Sequence, residues 1–329
     1  MSVTIKDVAK HCKVSSATVS RVLNNDPRIS EKTRIKVMKS VKELNYRING
    51  VARSLKTNRT NTVGFICPEI SNIFFMSIAK GVEDELKKSG YSVIICNSNE
   101  NKEDEKERIK LLCEKCVDGI IIIPSTNEGK HFKCLNDANI PTVLVDRLVE
   151  DFQSDAVLVD NINGSYSAVE YLINKGFKRI GFIGGNIMLT SARERYEGYL
   201  RALKDYCIPL DESIVKFGDF HVESGYAIMK DLMQQDNPPH FVFISNYYMH
   251  AGATKYLIEN KYNLKSNVLV ASFDDMELSS IFGFSILRVR QPMTEIGIKA
   301  AQLLLNRIDG NNANYPQIIR LKTELITER

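Results

Sequence analysis

Two hydrophobic patterns divide the chain near residue 60. In residues 4–46, apolar positions recur at the three-to-four-residue spacing of amphipathic helices. After residue 60, short β-branched runs alternate with longer amphipathic stretches, and this alternation is typical of doubly wound parallel sheets. The pattern therefore predicts an all-α head followed by an α/β body.

Three capped helices are predicted in the head. Thr4, Ser15 and Ser30 each precede an apolar-periodic segment and are residue types that cap helix N-termini. A tight turn at residues 12–14 separates the first helix from the second, which runs to about Asn24, so the two form a helix-turn-helix. The third helix closes a small core with apolar residues at helical spacing, namely Ile35, Val37, Met38, Val41 and Leu44.

The body contains two series of predicted strands and helices. The first series has strands at 62–67, 91–96, 119–123, 141–145 and 156–159, with helices near 74–89, 103–116 and 131–139. The second has strands near 180–184, 214–218, 241–245 and 268–273, with helices near 163–175, 191–206, 222–235 and 248–260. Roughly 265 residues exceed one such domain, so we expect two doubly wound α/β lobes. Ligands of such sheets bind outside the carboxyl ends of the strands, where the two lobes would face each other.

Charge is distributed unevenly along the chain. Residues 1–60 hold 14 Lys and Arg against 4 Asp and Glu, whereas the remainder holds 30 against 36. A basic head on a mildly acidic body is the pattern of a nucleic-acid-binding module joined to a second function. A solvated basic face would give the same count, so charge alone does not decide between the two.

The sequence favours a reducing compartment and no cofactor. The N-terminus carries no apolar signal core, and no run of about 18 apolar residues exists, so we expect a cytoplasmic protein without membrane spans. The seven cysteines are scattered and odd in number, which favours free thiols. Cys113 and Cys116 form a C-x-x-C pair without a second pair at zinc spacing, so we expect no metal.

The start of the second helix has chemistry suited to a DNA major groove. Ser16 and Ala17 have short side chains, which let the backbone approach base edges closely. Arg21, near the same face, can reach a guanine edge with two hydrogen bonds, worth about 1–3 kcal/mol of discrimination. Nearby hydroxyl groups either bond phosphates or merely cap the helix. These hydroxyl residues are Ser15, Thr18 and Ser20.

Residues 49–57 form a short linker that is too short to be a stable helix in isolation. Leu55 would be an exposed apolar residue between Arg53 and Lys56. Such a residue suits a wedge inserted into a minor groove. The linker is therefore predicted to become a helical turn against DNA.

Taken together, these segments resemble the LacI/GalR family of bacterial repressors over essentially the whole chain. In the head and linker the resemblance rests on residues 4–9, 14–15, 17–24 and 52–55. In the body it rests on residues 117–121, 218–220, 223–225, 273–275 and 291–292, in family order.

The resemblance implies a homodimer on a pseudopalindromic double-stranded DNA operator. It implies a DNA-binding domain at 1–60 with a hinge at 49–57, and an effector-binding and dimerisation domain at 61–329. The lobes would resemble periplasmic sugar-binding proteins, with three crossovers between lobe 1, about 62–161 and 292–323, and lobe 2, about 162–291. The DNA-binding set would be Thr4, Ser15, Ser16, Ala17, Thr18, Ser20, Arg21, Asn24, Ala52, Leu55 and Lys56.

A candidate effector pocket combines rings and polar groups at predicted strand ends. Aromatic rings stack on the apolar faces of sugars or bases, and a carboxylate, an amide and a guanidinium converging on one cleft suit vicinal hydroxyls. The rings are Phe74, Phe75 and Phe220, and Asp146-Arg147 follows the fourth strand. The resemblance adds Arg195, Asn246, Asp274 and Gln291. For two of these residues an alternative role stays open. Phe75 would then be a core residue, and Arg147 would belong to a salt bridge.

The chain departs from the family pattern at three positions. Tyr247 follows Asn246 where the family usually has Asp, and His250 stands where Ala is usual. The loss of that acid removes an acceptor for a sugar hydroxyl, and Tyr247 would reshape the pocket. Ile48 replaces a common Pro, which leaves the approach to the hinge less rigid.

Three other functions compete with a sugar-controlled repressor of a carbohydrate operon. An enzyme is disfavoured because the chain lacks phosphate-binding, dinucleotide-binding and nucleophile-elbow motifs. A transport sugar-binding protein would fit the lobes alone, but it would not carry a basic helix-turn-helix. A regulator controlled by a phosphorylated carrier-protein corepressor would keep DNA binding, although the pocket residues favour a small, sugar-like effector.

Overall fold

The structure, a computed structural model, describes residues 3–23, 26–46, 59–262, 268–275 and 285–327. Two units make up the chain, Met1–Thr60 and Asn61–Arg329. The candidates that lie outside the described residues are Asn24, Ile48, Ala52, Leu55 and Lys56.

The head folds as three helices, each begun by a hydroxyl side chain. They are α1 (Ile5–His11), α2 (Ser16–Leu23) and α3 (Glu31–Glu43). Thr4 begins α1 with a capping box, in which its side chain accepts from the Asp7 amide and Asp7 accepts in return. Ser15 Oγ accepts from the Thr18 amide at 3.0 Å, so the predicted cap of α2 is present. The tight turn before it carries a positive φ of 47° at Lys13.

The head core is narrower than the sequence predicts. Val8, Val19, Val22 and Val37 are fully or almost fully buried at the centre of the three helices. Ile35 and Met38, by contrast, remain 61% and 48% exposed, so their prediction as core residues is wrong. The reason is that two helices of seven and eight residues cover only one side of α3. The covered stripe of α3 is Val37, Val41 and Leu44.

The first sheet of the body has six strands in the order β11-β5-β4-β3-β1-β2, and all neighbouring pairs are parallel. Its strands are β1 (Thr62–Cys67), β2 (Ser92–Asn97), β3 (Gly119–Ile122), β4 (Thr142–Val145), β5 (Asp155–Val159) and β11 (Ile318–Leu321). Its helices are α4 (Ile73–Lys88), α5 (Lys102–Glu114), α6 (Lys133–Asp137) and α11 (Met293–Ile308). These elements form lobe 1.

Alternate residues of lobe 1 strands pack on opposite faces of the sheet. On β1, Phe65 joins the apolar cluster beneath α4 and α11, whereas Ile66 joins the cluster beneath α5 and α6. Helices α4 and α11 touch through their backbones at Gly81 and Gly297. A Cβ on Gly81 would lie 2.4 Å from a carbonyl oxygen of α11, so only glycine fits there.

The second sheet has six strands in the order β12-β10-β9-β8-β6-β7, with only the β10–β12 pair antiparallel among them. Its strands are β6 (Ile180–Gly184), β7 (Val215–Phe217), β8 (Phe241–Ile244), β9 (Leu269–Phe273), β10 (Ser285–Arg290) and β12 (Glu324–Thr327). Its helices are α7 (Asn161–Asn174), α8 (Thr190–Asp205), α9 (Val222–Met233) and α10 (Tyr247–Glu259). These elements form lobe 2.

The chain passes between the lobes three times within the body. It leaves lobe 1 between β5 and α7, returns between β10 and α11, and leaves again between β11 and β12. Strands β10, β11 and β12 were not predicted from the sequence, and β12 extends the lobe 2 sheet beyond residue 323. In the described part of the chain, no helix is long and apolar enough to cross a membrane.

Candidate functional site

The exposed surface of α2 carries the described candidates for DNA contact. Ser15, Ala17 and Arg21 are exposed, and Ser16, Thr18 and Ser20 are half-buried. The hydroxyl groups of Ser15 and Thr18 lie 2.9 Å apart, so the cap orders this end of the helix while leaving it accessible. Thr4 is also exposed, next to its capping partner Asp7.

A second candidate site lies within the body, where strands from both sheets end. Asp146 and Arg147 directly follow β4, Asp274 follows β9 and Gln291 follows β10. The carboxyl ends of parallel strands meet at one edge of a sheet, so these side chains are brought to the cleft between the lobes.

All eight predicted effector-binding residues line one cavity of about 440 Å³, a volume that includes its open mouth. They are Phe74, Phe75, Arg147, Arg195, Phe220, Asn246, Asp274 and Gln291. Small-molecule sites typically occupy about 300–1,000 Å³, so this cavity is at the small end. Six further residues complete the lining, namely Asn72, Glu100, Asp146, Ser191, Tyr247 and Tyr248.

Aromatic rings from both lobes surround one guanidinium in this cavity. Phe75, in the first turn of α4, lies 6.0 Å from the Arg147 guanidinium carbon, measured to the ring centroid. Phe220 of lobe 2 lies 5.9 Å from the same carbon. Phe75 also packs in the lobe 1 core, so the core alternative and the cavity position are both correct for it. Phe220 adopts a left-handed φ of 71°, which is uncommon for a bulky residue and typical of functional loops.

Arg147 is paired with a carboxylate in its own lobe. Its two terminal nitrogens donate to the two oxygens of Glu100 at 3.0 Å each, and one of them also donates to the Pro124 carbonyl at 2.9 Å. Burial lowers the pKa of Arg147, but the carboxylates of Glu100, Asp146 and Glu105 together outweigh burial, so the pKa is raised. The salt-bridge alternative is therefore present, within a residue that still lines the cavity.

Asp146, which lines the same cavity, has a buried acceptor without a hydrogen-bond partner in the part of the chain that the structure describes. The residue is 5% exposed, and its Oδ1 has no hydrogen-bond partner among the described residues. Burial raises the pKa of Asp146, although the nearby guanidinium groups of Arg147 and Arg195 act in the opposite direction. Gln291 Oε1 is a second buried acceptor without a partner in the described chain. A ligand that donates hydrogen bonds would satisfy both atoms.

Arg195 is held in one orientation by three neighbours. Its Nε donates to Asn161 Oδ1 at 2.9 Å, and Nη1 donates to the Ser245 carbonyl at 2.7 Å. Its guanidinium carbon lies 3.9 Å from the ring centroid of Phe273. The side chain is therefore ordered before any ligand binds, which lowers the entropic cost of binding.

Hydrogen bonds hold the three remaining predicted residues, Asn246, Asp274 and Gln291, in place. Asp274 accepts from the side-chain amide of Gln291 and, at 3.3 Å, from the backbone amide of Tyr247. Asn246 begins α10 by accepting from the Met249 amide, and its Nδ2 donates to the Phe220 carbonyl at 3.0 Å. Asn246 thus positions the loop that carries the Phe220 ring.

Several contacts beside the cavity join the two lobes. Tyr248 of α10 accepts from the Ile73 amide at 3.3 Å, and Thr190 Oγ1 donates to the Leu148 carbonyl at 3.1 Å. Tyr247, which replaces the usual acid, packs its ring into the lobe 1 cluster although it belongs to lobe 2. The two lobes are therefore joined by direct contacts beside the cavity.

His250, the second departure from the family pattern, is fully buried on α10. Burial lowers its pKa to about 4, and the positive charge of Arg288 acts in the same direction. No group of three or more potential metal ligands occurs in the described segments. The cavity is lined by hydrogen-bonding side chains and aromatic rings.

Sequence reasoning missed four lining residues: Asn72, Glu100, Ser191 and Tyr248. Glu100 lies three residues after β2, as Phe220 does after β7, so its position near a strand end was a signal, although its charged loop also has the pattern of a solvated segment. Tyr248 directly follows Tyr247, which sequence reasoning had already identified as a residue that would reshape the pocket.

A helix-turn-helix head, together with two parallel-sheet lobes around a polar cavity, defines the class of ligand-binding transcription regulators. Residues 4–49 match the bacterial regulatory proteins of the lacI family, and residues 60–328 match the periplasmic binding proteins and sugar binding domain of LacI family. The chain belongs to the LacI family. It is a DNA-binding transcription regulator and not an enzyme, as predicted.

Individual relatives support this assignment along the full length. The HTH-type transcriptional regulator RegA of Clostridium saccharobutylicum is 37% identical, over 99% of this chain and 98% of that protein. The HTH-type transcriptional repressor PurR of Actinobacillus pleuropneumoniae is 33% identical, over 99% and 97%. A solved structure, a putative ribose operon repressor from Burkholderia thailandensis, has a TM-score of 0.76 and 30% identity, over 82% of this chain and all of that chain.

Proposed function

We propose that this regulator represses a carbohydrate-utilisation operon and responds to a small, neutral monosaccharide, with ribose as the first candidate. The observation that carries the proposal is the pair of buried acceptors, Asp146 Oδ1 and Gln291 Oε1, beside aromatic rings. Sugar hydroxyls supply donors, and the apolar face of a sugar ring stacks on aromatic side chains. Ribose is put first because the Burkholderia thailandensis relative is a putative ribose operon repressor.

On DNA, α2 of each head of a homodimer would lie in a major groove of a pseudopalindromic operator. Arg21, Ser16 and Ala17 would approach base edges, and the hydroxyl groups of α2 would bond phosphates. The exposure of Arg21, Ala17 and Ser15 supports this assignment. Thr4 would add a phosphate contact, and Asn24, Ala52, Leu55 and Lys56 would complete the surface.

Effector control would operate as a shift between two arrangements of the lobes. A ligand bound among Asp146, Arg195 and Asp274 touches both lobes, so its affinity differs between the closed and open arrangements. If the ligand favours the arrangement that does not bind DNA, it induces transcription. If it favours the DNA-bound arrangement, it acts as a corepressor.

Calorimetric titration of the full chain tests the effector. We expect D-ribose or another neutral monosaccharide to bind one site per chain and to raise the melting temperature by mass action. A nucleobase, hypoxanthine, serves as the comparison because its flat aromatic ring would also stack on the phenylalanine rings of the cavity. Binding of hypoxanthine without binding of any neutral sugar would refute the proposed effector class.

A further inference from the structure

We propose that Glu100 is a specificity-determining residue, which neutralises Arg147 and thereby restricts the cavity to uncharged ligands. This inference rests on the proposed function, because it concerns which sugars the same cavity accepts. It predicts that sugar acids and sugar phosphates are rejected even though two arginines line the site.

The pairing geometry leaves Arg147 little capacity for an anionic ligand. Both terminal nitrogens are occupied by the Glu100 oxygens at 3.0 Å, and Nη1 is shared with the Pro124 carbonyl. The remaining nitrogen, Nε, has no hydrogen-bond partner in the described chain, and it lies 3.5 Å from Asp146 Oδ2. A ligand carboxylate or phosphate that sought a two-pronged contact with both terminal nitrogens would have to displace Glu100, and one that approached Nε would meet the Asp146 carboxylate.

The loop that carries Glu100 is built to hold it in place. Asn99 and Glu100 adopt successive left-handed φ angles of 53° and 50°, a conformation that non-glycine residues seldom take. Asn99 Nδ2 donates to Asp104 Oδ2 at 2.6 Å, and the Asn101 amide donates to the Ser98 carbonyl at 2.8 Å. Such a conformation persists where the surroundings enforce it, often at ligand sites.

The charges around the cavity also disfavour an anion. Three carboxylates line it, those of Glu100, Asp146 and Asp274, against the two guanidinium groups of Arg147 and Arg195. Arg195 already donates to Asn161 and Ser245. An added negative charge would meet an excess of carboxylates in a partly desolvated space, where repulsion is poorly screened.

Replacing Glu100 by Gln removes one negative charge while keeping a similar side-chain shape. The released charge of Arg147 is then available to a ligand. We expect the preference for D-ribose over D-ribonate, measured as the ratio of their dissociation constants, to fall by about tenfold or more. Ribose 5-phosphate should gain affinity in the same direction.

Calorimetric titration of the full-length wild type, Glu100→Gln and Glu103→Gln makes the comparison. Glu103 is a matched control because its side chain is 75% exposed on α5, where it lies 3.6 Å from Lys106. The control should keep the wild-type ratio. An unchanged ratio in Glu100→Gln, while ribose still binds, would refute the inference and leave the proposed function intact.

A purely structural role for Glu100 gives a different result. In that case Glu100→Gln would lose ribose binding without gaining ribonate, while Glu100→Asp, which keeps the charge, would retain ribose binding. That outcome also refutes the inference. If the wild type itself binds ribonate in preference to ribose, the proposed neutral effector and the role of Glu100 both fail.

Discussion

Arg195 donates from Nε to Oδ1 of Asn161 at 2.9 Å, and this contact connects the effector cavity to the crossovers between the lobes. Asn161 in turn donates to Glu194, which accepts two hydrogen bonds from Arg320 at 2.7 and 3.1 Å. Asn161 begins α7 just after the first crossover, and Arg320 lies on β11 just before the third. A hydrogen-bonded chain of side chains therefore leads from Arg195 through Asn161 and Glu194 to Arg320 on β11 of lobe 1.

Asn161→Ala should weaken effector binding although Asn161 does not line the cavity. Its removal frees the Arg195 guanidinium and breaks the contact with Glu194. Hydrogen bonds to charged groups contribute about 1.5–3 kcal/mol, so we expect ribose affinity to fall by roughly tenfold or more in calorimetry. Asn163→Ala, at an exposed position of the same helix, is the control. Equal affinities in the two variants would contradict this positioning role.

Asp146 should make effector binding sensitive to acid. Burial raises its pKa above the ordinary value of about 3.9, so it takes up a proton at a higher pH than an exposed carboxyl group. A protonated Asp146 is a poorer acceptor for a hydroxyl group. We therefore expect ribose affinity to begin to decrease with falling pH at a higher pH than titration of an exposed carboxyl group would give. Asp146→Asn should bind ribose more weakly at neutral pH, and its ribose affinity should depend less on pH than that of the wild type. If its affinity falls with pH as steeply as that of the wild type, Asp146 is not the titrating group.

His250 should make folding stability decrease in mild acid. Its pKa is about 4 in the folded protein, against about 6.5 in an unfolded chain. The unfolded state therefore binds a proton first, and stability is lost as the pH falls from about 6.5 to about 4. The full difference corresponds to about 3 kcal/mol at most. Urea unfolding at several pH values measures it.

The matched variants for this test are His250→Gln and His240→Gln, the second at an exposed position. His250→Gln should lower stability near neutral pH and flatten the dependence on acid. His240→Gln should retain the wild-type dependence. If the stability of His250→Gln falls with pH as steeply as that of the wild type, a group other than His250 causes the loss of stability in acid.

The arrangement of strands and the pocket were largely predictable, but the ends of the body were not. Runs such as residues 62–67 and 119–123 are continuously apolar because both faces of the sheet are covered. Strand β10 contains Arg288 and Arg290, and these two charged residues interrupt the apolar run by which a buried strand is predicted. Strands β11 and β12 have four residues each and are at most half-buried, so they lack that signal.

Glu100 and the head show two further limits of sequence reasoning. A glutamate in a charged loop after an edge strand has the pattern of a solvated residue, and only the fold brings it onto Arg147. Ile35 and Met38 have the spacing of core residues, but their exposure depends on how far α1 and α2 extend over α3. Both depend on tertiary contacts that are remote in sequence.

Arg21→Ala should reduce discrimination among operator sequences. Arg21 is exposed on α2, and loss of a two-pronged guanine contact costs about 1–3 kcal/mol at the base pair it contacts. Nonspecific affinity and its salt dependence should largely persist. Arg28→Ala, at a side chain that is 80% exposed, removes an equal charge and should affect all sequences alike. Binding to a randomised duplex library distinguishes the two variants.

The most direct measurement is the affinity of the purified protein for its selected operator, with and without D-ribose, in the wild type and in Asp274→Ala. We expect ribose to change the wild-type operator affinity by at least about fivefold, the lower range of allosteric coupling. Asp274→Ala should bind the operator normally and give no response. A ribose response that persists unchanged in Asp274→Ala, or the absence of any sequence preference in the wild type, would contradict a sugar-controlled DNA-binding regulator.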